Sequence, residues 1–339
     1  MRRSAAAALV LTVLLFGGAY LAAGKTPAQE TVPDGAAQEQ SPQGQKDSGV
    51  ELAVQNGDAV ENMALDVYLQ GVVRGEMPAS FEQEALKAQA AAERTYVYYQ
   101  LAAGRKEAHP QADVCTDPAC CNAWLSEEAA REKWGGDFDG WERRIEEAVA
   151  ATDGQAALYD GQPILAVFHS SSAGKTAEAG DVWSGDVPYL RSVDSPEGEE
   201  TVPNYYSAAE FTAAEAKALL AQAHPELTFS GGPDKWFGTV ERDDSGRVST
   251  VEVCGAPLRG VEVRRIFSLR SACFTIDAAA DKVTFRVTGY GHGVGMSQYG
   301  ANELARQGKT WQEILMWYYA DITIGPVPET VQTAESVVN

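Results

Sequence analysis

The stretch YLQGVVRGEMPASFEQEALKAQAAAERTY, residues 68–96, changes texture at its middle. Its first part, together with the residues from 59 onward, spaces apolar side chains in a way that suits a strand or a helix. We read it as extended where it ends, at VYLQGVV. From Ser80 the pattern is helical. Ser80 and Gln83 stand as a capping box, and the run to about Leu101 is rich in good helix formers. Ala85, Ala88 and Ala92 give that helix a face small enough for another element to pack closely. Glu76 falls at the junction, just ahead of Pro78. A carboxylate there stands either in solvent or at the mouth of a cleft.

The same alternation continues downstream. Residues 104–125 are turn-rich and hold three of the five cysteines, whereas 127–152 read as helix. QAALYDGQPILAVF (155–168) is a hairpin pattern with Asp160-Gly161 at the turn. Residues 208–223 read as an Ala-rich helix opened by Ser207 or Thr212. After Gly231 strands dominate, with a hairpin around Asp244 to Gly246. In KVTFRVTGYG (282–291), Val283, Phe285 and Val287 alternate onto one face. Two helices close the pattern. One runs from about Gln298 to Gln307 and stops at Gly308; the next starts at Thr310, boxed with Glu313. The fold class is α+β, with mixed helices and antiparallel strands.

The chain has 339 residues, 45% of them hydrophobic, enough for one large or two ordinary cores. Its net charge of −21 repels nucleic acid and anionic lipid, which are excluded as partners of the folded part. The start, MRRSAAAALVLTVLLFGGAYLAAGK, places two arginines before an uncharged run from Ser4 to Gly24. A run of about 20 apolar residues is long enough to span a bilayer. Residues 1–24 therefore read as a membrane anchor with the bulk of the chain exported, located at the cell membrane as a single-pass protein. A cleaved signal peptide is the alternative, because Ala22, Ala23 and Gly24 are small. Residues 25–49 are Pro-, Gln- and Gly-rich and read as a flexible linker. The folded domain is expected over 50–327, with an unstructured tail at 328–339.

No HExxH, Walker loop, GxSxG or paired CxxC occurs. Four other runs carry chemistry. The first holds Glu76. In the second, HPQADVCTDPACCNAW (109–124), His109, Cys115, Cys120 and Cys121 sit on one short loop. Thiolates and an imidazole so spaced suit a closed tetrahedral zinc site, while an exported chain also allows a disulfide between Cys115 and Cys120 or Cys121. Cys254 and Cys273 flank a strand pair as a second disulfide candidate or as core residues. The third run, FHSSSAGKT (168–176), brings His169, Ser170, Ser171 and Ser172 to a strand end, short polar groups suited to recognising hydroxyls or amides. The fourth, GYGHGVGMSQYGA (289–301), places His292 among four glycines, with Ser297, Gln298 and Tyr299 opening a helix whose free N–H groups face outward.

Three blocks, residues 68–96, 168–196 and 289–319, resemble in order the signature blocks of the stage II sporulation protein D family. The resemblance covers roughly 60–325. It implies a peptidoglycan lytic transglycosylase that cuts the β-1,4 bond between N-acetylmuramic acid and N-acetylglucosamine and leaves a 1,6-anhydro end, in wall remodelling during sporulation. It implies Glu76 as the catalytic carboxylate. His169 to Ser172 and His292 to Tyr299 would line a glycan-binding groove, and a structural zinc would sit on His109, Cys115 and Cys121, with Cys120 standing where the family's pattern has a histidine. The implied partners are glycan strands, a wall amidase that strips stem peptides, and a membrane-anchoring protein of an engulfment complex. A lone carboxylate suits this reaction, because the sugar's own C6 hydroxyl is the nucleophile and one group serves as acid and then base. Such an acid needs its proton affinity raised by apolar surroundings, here Met77, Pro78 and nearby Ala and Val residues. Two other readings stand beside this one: a non-catalytic peptidoglycan-binding amidase enhancer, and a zinc hydrolase built on the cysteine loop.

Overall fold

Helix α1 (Leu65–Glu76) and helix α2 (Gln83–Ala103) frame the first of two cores, and α1 departs from the sequence reading. Leu65, Tyr68, Leu69, Val72 and Val73 are all fully buried, at the i, i+3, i+4, i+7, i+8 spacing of an amphipathic helix. Sequence alone favours extended backbone here, because three β-branched residues and two glycines lower local helix preference. Burial of the stripe, worth about 1.5–3 kcal/mol per large side chain, overrides that preference. Glu76 is therefore the last residue of a helix, not the end of a strand. Ser80 does not cap α2 either. It lies in a turn closed by Phe81 N–H to Pro78 O. The N-cap is Glu82, whose N–H donates to Asn302 Oδ1 at 2.7 Å.

The computed structural model describes residues 46–183 and 185–328. The anchor or signal segment, nearly all of the linker and nearly all of the tail lie outside the described residues. Among the described residues no helix is long and apolar enough to cross a membrane. The expected single-pass membrane location, and the transmembrane helix in the fold class, are corrected accordingly: the span they rest on is outside the described residues, and no described helix replaces it.

Helices α3 (Glu127–Trp134) and α4 (Phe138–Ala151) follow, divided by a short 3-10 turn at Gly135–Asp137. The Ser126 hydroxyl accepts the N–H of Ala129 and fixes the start of α3. Arg144 of α4 reaches back to the carbonyls of Ala79 and Phe81 and holds the turn after Glu76. The hairpin forms as expected between Gln155–Tyr159 and Gln162–Pro163. Asp160 and Gly161 both have positive φ, 50° and 74°, as a two-residue hairpin turn requires. The strand ends at Pro163, however, and does not run on to Phe168. Strand Gln155–Tyr159 instead takes Thr323–Pro326 on its other edge.

After the short helix α5 (Ala179–Val182) the chain builds the second core. Strand Lys282–Thr288 is central, with Phe274–Ala278 and Tyr206–Thr212 antiparallel on either side. Val283, Phe285 and Val287 point inward as their alternation predicts, each at most 3% exposed. The Phe285 ring meets Phe211, Phe237, Phe267 and Phe274. Helix α6 (Ala213–Ala223) starts from a capping box of Thr212 with Glu215, so residues 208–212, expected as helix, are strand. A second sheet joins Phe237–Arg242, Val248–Val253 and Ala256–Arg259, followed by α7 (Gly260–Ile266).

Helices α8 (Gln298–Arg306) and α9 (Trp311–Tyr318) return to the first core and pack on α2. Thr310 and Glu313 form the capping box expected for α9. Helix α2 is thereby flanked by α1, α4, α8 and α9. Ala85, Ala88, Ala90, Ala91 and Ala92, all fully buried, let those neighbours approach. Beneath them the buried Arg94 guanidinium is gripped by Asp47 and by Val149 O.

Candidate active site

The C-terminal end of α1 opens into a cavity of about 500 Å³. Its lining brings Glu76 together with Cys120, Cys121 and Lys106 of the cysteine loop, and with Trp183 and His292 opposite. Two helix glycines make this possible. A Cβ on Gly71 would lie 1.9 Å from Trp124 Nε1, and one on Gly75 would lie 2.6 Å from Ala123 O. Gly in a helix interior costs about 1 kcal/mol relative to Ala; here it lets the segment leaving the cysteine loop lie directly against α1. The reward is a hydrogen bond from Ala123 N–H to Glu76 Oε1 at 2.5 Å. From the other side Gln298 Nε2 donates to Glu76 O at 3.1 Å.

Burial raises the proton affinity of Glu76 above the ordinary carboxylate range, and the Ala123 N–H partly opposes this. Met77 and its neighbours supply apolar cover, as the sequence predicts, although Pro78 is exposed. Burial also holds His169 well below the usual imidazole range and takes His292 down to about 4, so both rings are neutral near neutral pH. His292 lies 5.2 Å from the Trp183 ring and 5.7 Å from that of His169. Its Nδ1 accepts the N–H of Val294.

The remaining expected groove residues divide. His169 is buried, with Nδ1 on Val294 O. The Ser170 carbonyl accepts Tyr299 N–H, and the Tyr299 ring meets Phe81 edge-on at 4.9 Å. Ser171, Ser172 and Ser297 are fully buried and turn away from the cavity. Ser171 bridges to Tyr290 through its backbone, while the hydroxyls of Ser172 and Ser297 donate to the buried carboxylate of Glu197. Ser297 also caps α8. These hydroxyls tie the His169 loop to the His292 loop instead of facing a ligand. Gln298 is buried and reaches Glu76 directly.

Sequence reasoning missed Glu93. It is fully buried in α2, accepting from Gln89 Nε2 and Asn122 Nδ2, both at 2.7 Å. Burial, then the nearby Glu76, pushes its carboxyl well above the usual range. The signal was present: Glu93 repeats at i, i+4, i+8 with Ala85 and Gln89, on a face otherwise chosen for close packing.

All five cysteines are free, so neither expected disulfide forms. His109, Cys115, Cys120 and Cys121 place one ligand atom each within 4.8 Å of one another, a group that could hold a metal ion. The donor set fits a borderline-soft divalent ion in a tetrahedral shell. His109 Nδ1 is engaged with Ala112 O at 2.9 Å, which leaves Nε2, 3.4 Å from Cys121 Sγ, as the ligand atom.

A chain with this α+β framework and this carboxylate-bearing cavity matches known proteins over most of its length. Residues 54–159 match the SpoIID family, stage II sporulation protein. The chain is 37% identical over 261 residues to stage II sporulation protein D of Bacillus subtilis (strain 168), covering 77% of this chain and 74% of that one. It is 34% identical over 281 residues to stage II sporulation protein D of Bacillus amyloliquefaciens, covering 82% and 80%. An amidase enhancer of Bacillus subtilis (strain 168) is 28% identical over 305 residues, 76% of this chain but 40% of that protein. The chain belongs to the stage II sporulation protein D family.

Proposed function

We propose that the protein is a peptidoglycan lytic transglycosylase of sporulation, with Glu76 as its general acid and base. The observation that supports this most is Glu76 itself: an acid whose proton affinity burial raises, in the wall of a cavity of about 500 Å³. Protonated Glu76 donates to the glycosidic oxygen as the bond from C1 of N-acetylmuramic acid breaks. The C6 hydroxyl of the same sugar then attacks C1 and returns its proton to Glu76, leaving a 1,6-anhydro end with no water consumed. The Ala123 N–H stabilises the carboxylate formed between the two transfers. Trp183 and His292, their rings tilted 43° to one another, offer aromatic contact for a sugar ring. A zinc ion on His109, Cys115, Cys120 and Cys121 would be structural, since four protein ligands close its shell; it would hold the loop that carries Ala123. Glycan strands, a wall amidase and a membrane-anchoring engulfment protein are the partners of this reading.

The test is digestion of peptide-stripped glycan strands by the full chain and by Glu76→Gln, with products read by mass spectrometry. Anhydromuramyl ends from the wild type alone are expected. The similarity to an amidase enhancer favours one rival, a glycan-binding protein without cutting activity. Sedimentation of both proteins with glycan and no cleavage by either would establish that rival instead.

A further inference from the structure

Glu93 does not reach the cavity, yet it is bound to Glu76 from two directions. On one side its Oε2 accepts Asn122 Nδ2 at 2.7 Å, and the next residue, Ala123, donates its N–H to Glu76 Oε1 at 2.5 Å. On the other side its Oε1 accepts Gln89 Nε2 at 2.7 Å. Gln89 Oε1 in turn accepts Gln298 Nε2 at 3.4 Å, and Gln298 donates to Glu76 O at 3.1 Å. The result is a closed ring of hydrogen bonds through α1, α2, the cysteine-loop exit and α8, with a carboxyl at each pole.

A buried carboxyl is costly, and well-packed apolar side chains would fill its place at less cost. Glu93 therefore has a role that an alanine on the same face would not serve. Asn122 is buried, and its amide anchors to Glu93 the residue immediately before Ala123. We propose that Glu93 is the positioning residue of Glu76, holding the Ala123 N–H and the Gln298 amide in place against it. This rests on the reading of Glu76 as the acid and base of the reaction.

Positioning and repulsion make opposite predictions. If Glu93 acts by fixing a donor on Glu76, its removal loosens the Ala123 N–H, destabilises the Glu76 carboxylate and raises the pH at which Glu76 titrates. If Glu93 acts by charge repulsion, its removal lowers that pH. The other titratable groups facing the pair are the Tyr68, Tyr96 and Tyr319 phenols around Glu93 and Lys106, Cys120, Cys121 and His292, which line the cavity with Glu76. All are left unchanged by the variants below.

The experiment is a carbon-13 NMR titration of the full chain with labelled glutamate δ-carboxyls, the Glu76 signal being assigned by its loss in Glu76→Gln. It is paired with hydrogen exchange at the Ala123 amide. Neither readout needs activity, so both stay informative if no transglycosylase activity is found. In Glu93→Ala the Glu76 midpoint is expected to rise and Ala123 exchange to quicken. Glu93→Gln, whose carbonyl still accepts from Asn122 although its NH2 then faces the Gln89 amide, keeps the arm that leads to Ala123, so its Glu76 midpoint and Ala123 exchange stay close to wild type. Where activity is measured, Glu93→Ala lowers kcat roughly ten- to a hundredfold with KM unchanged, the scale of a misplaced catalytic group. An unmoved or lowered midpoint in Glu93→Ala, or a Gln variant that behaves like Ala, overturns the proposal. If Glu93→Ala does not fold, Asn122→Ala cuts one arm of the ring alone, and unchanged Ala123 exchange in that variant overturns it equally.

Discussion

Replacing Gly75 with alanine separates helix stability from catalysis at a single atom. The new Cβ would lie 2.6 Å from Ala123 O and 2.9 Å from Ala123 C. An ordinary contact is about 3.5 Å, so the segment has to withdraw by almost 1 Å. The obstacle is backbone, which cannot swing aside as a side-chain tip would. Alanine returns about 1 kcal/mol of helix preference, against about 1–3 kcal/mol for overpacking, so net stability falls by only about 0–2 kcal/mol. A withdrawal of that size lengthens the hydrogen bond from Ala123 to Glu76 from 2.5 Å to about 3.4 Å, the weak end of the hydrogen-bond range. A hydrogen bond to a charged group is worth about 1.5–3 kcal/mol, or roughly ten- to a hundredfold in rate at about 1.4 kcal/mol per factor of ten. Gly75→Ala should therefore unfold near the wild-type temperature and cut denuded glycan at a small fraction of the wild-type rate. Its Glu76 should titrate at higher pH, having lost a donor. Full activity in a folded Gly75→Ala protein would refute the assignment of Ala123 N–H as the support of the carboxylate.

Two further outcomes follow from the cavity wall. The purified protein should carry one zinc per chain by elemental analysis, and stripping it with a chelator should speed amide exchange across residues 106–123; a metal-free protein with a protected loop would remove zinc from the account. His292, held neutral with its titration depressed to about 4, contributes stability that is present above pH 6.5 and lost as pH falls towards 4, because only the unfolded chain takes up the proton there. Replacing it as His292→Asn should flatten the fall in denaturant stability between pH 6.5 and 4 by up to about 3 kcal/mol, and identical pH profiles would show that the ring is freely protonated in the fold.

The sequence carried the pieces of the site better than their arrangement. That Glu76, His292 and Gln298 come together is legible in part, because a junction ahead of a proline and a glycine-dense loop leave local marks. The helical state of residues 65–76 was not legible, because Val72 and Val73 belong to a buried stripe that only the packing of α1 on α2 rewards. The serines of the third and fourth runs read as groups that face a ligand, and nothing local shows that Ser172 and Ser297 turn instead onto Glu197, 25 residues from Ser172 and 100 from Ser297. In the sequence Glu93 is one more residue of an Ala-rich helix, since its partner Asn122 is 29 residues away on a loop. Capping boxes fared according to their context. The one at Thr310 forms, and Thr212, one of two candidate openers of its helix, forms another with Glu215, whereas the one at Ser80 gives way to a turn clamped by Arg144 and to a bond from Glu82 N–H to Asn302.

The bonds that close α8 and α9 onto the end of α1 and the start of α2 join residues 220, 222 and 227 positions apart: Asn302 to Glu82, Gln298 to Glu76, and Trp311 to Glu84. At about 5–20 residues per second, a ribosome delivers Gln298 roughly 10–45 s after Glu76. For that interval the growing chain owns its acid but not the helix that steadies it. A fragment released early, or clipped before α8, lacks Gln298 and Asn302 and so leaves the end of α1 and the start of α2 without the contacts that close them.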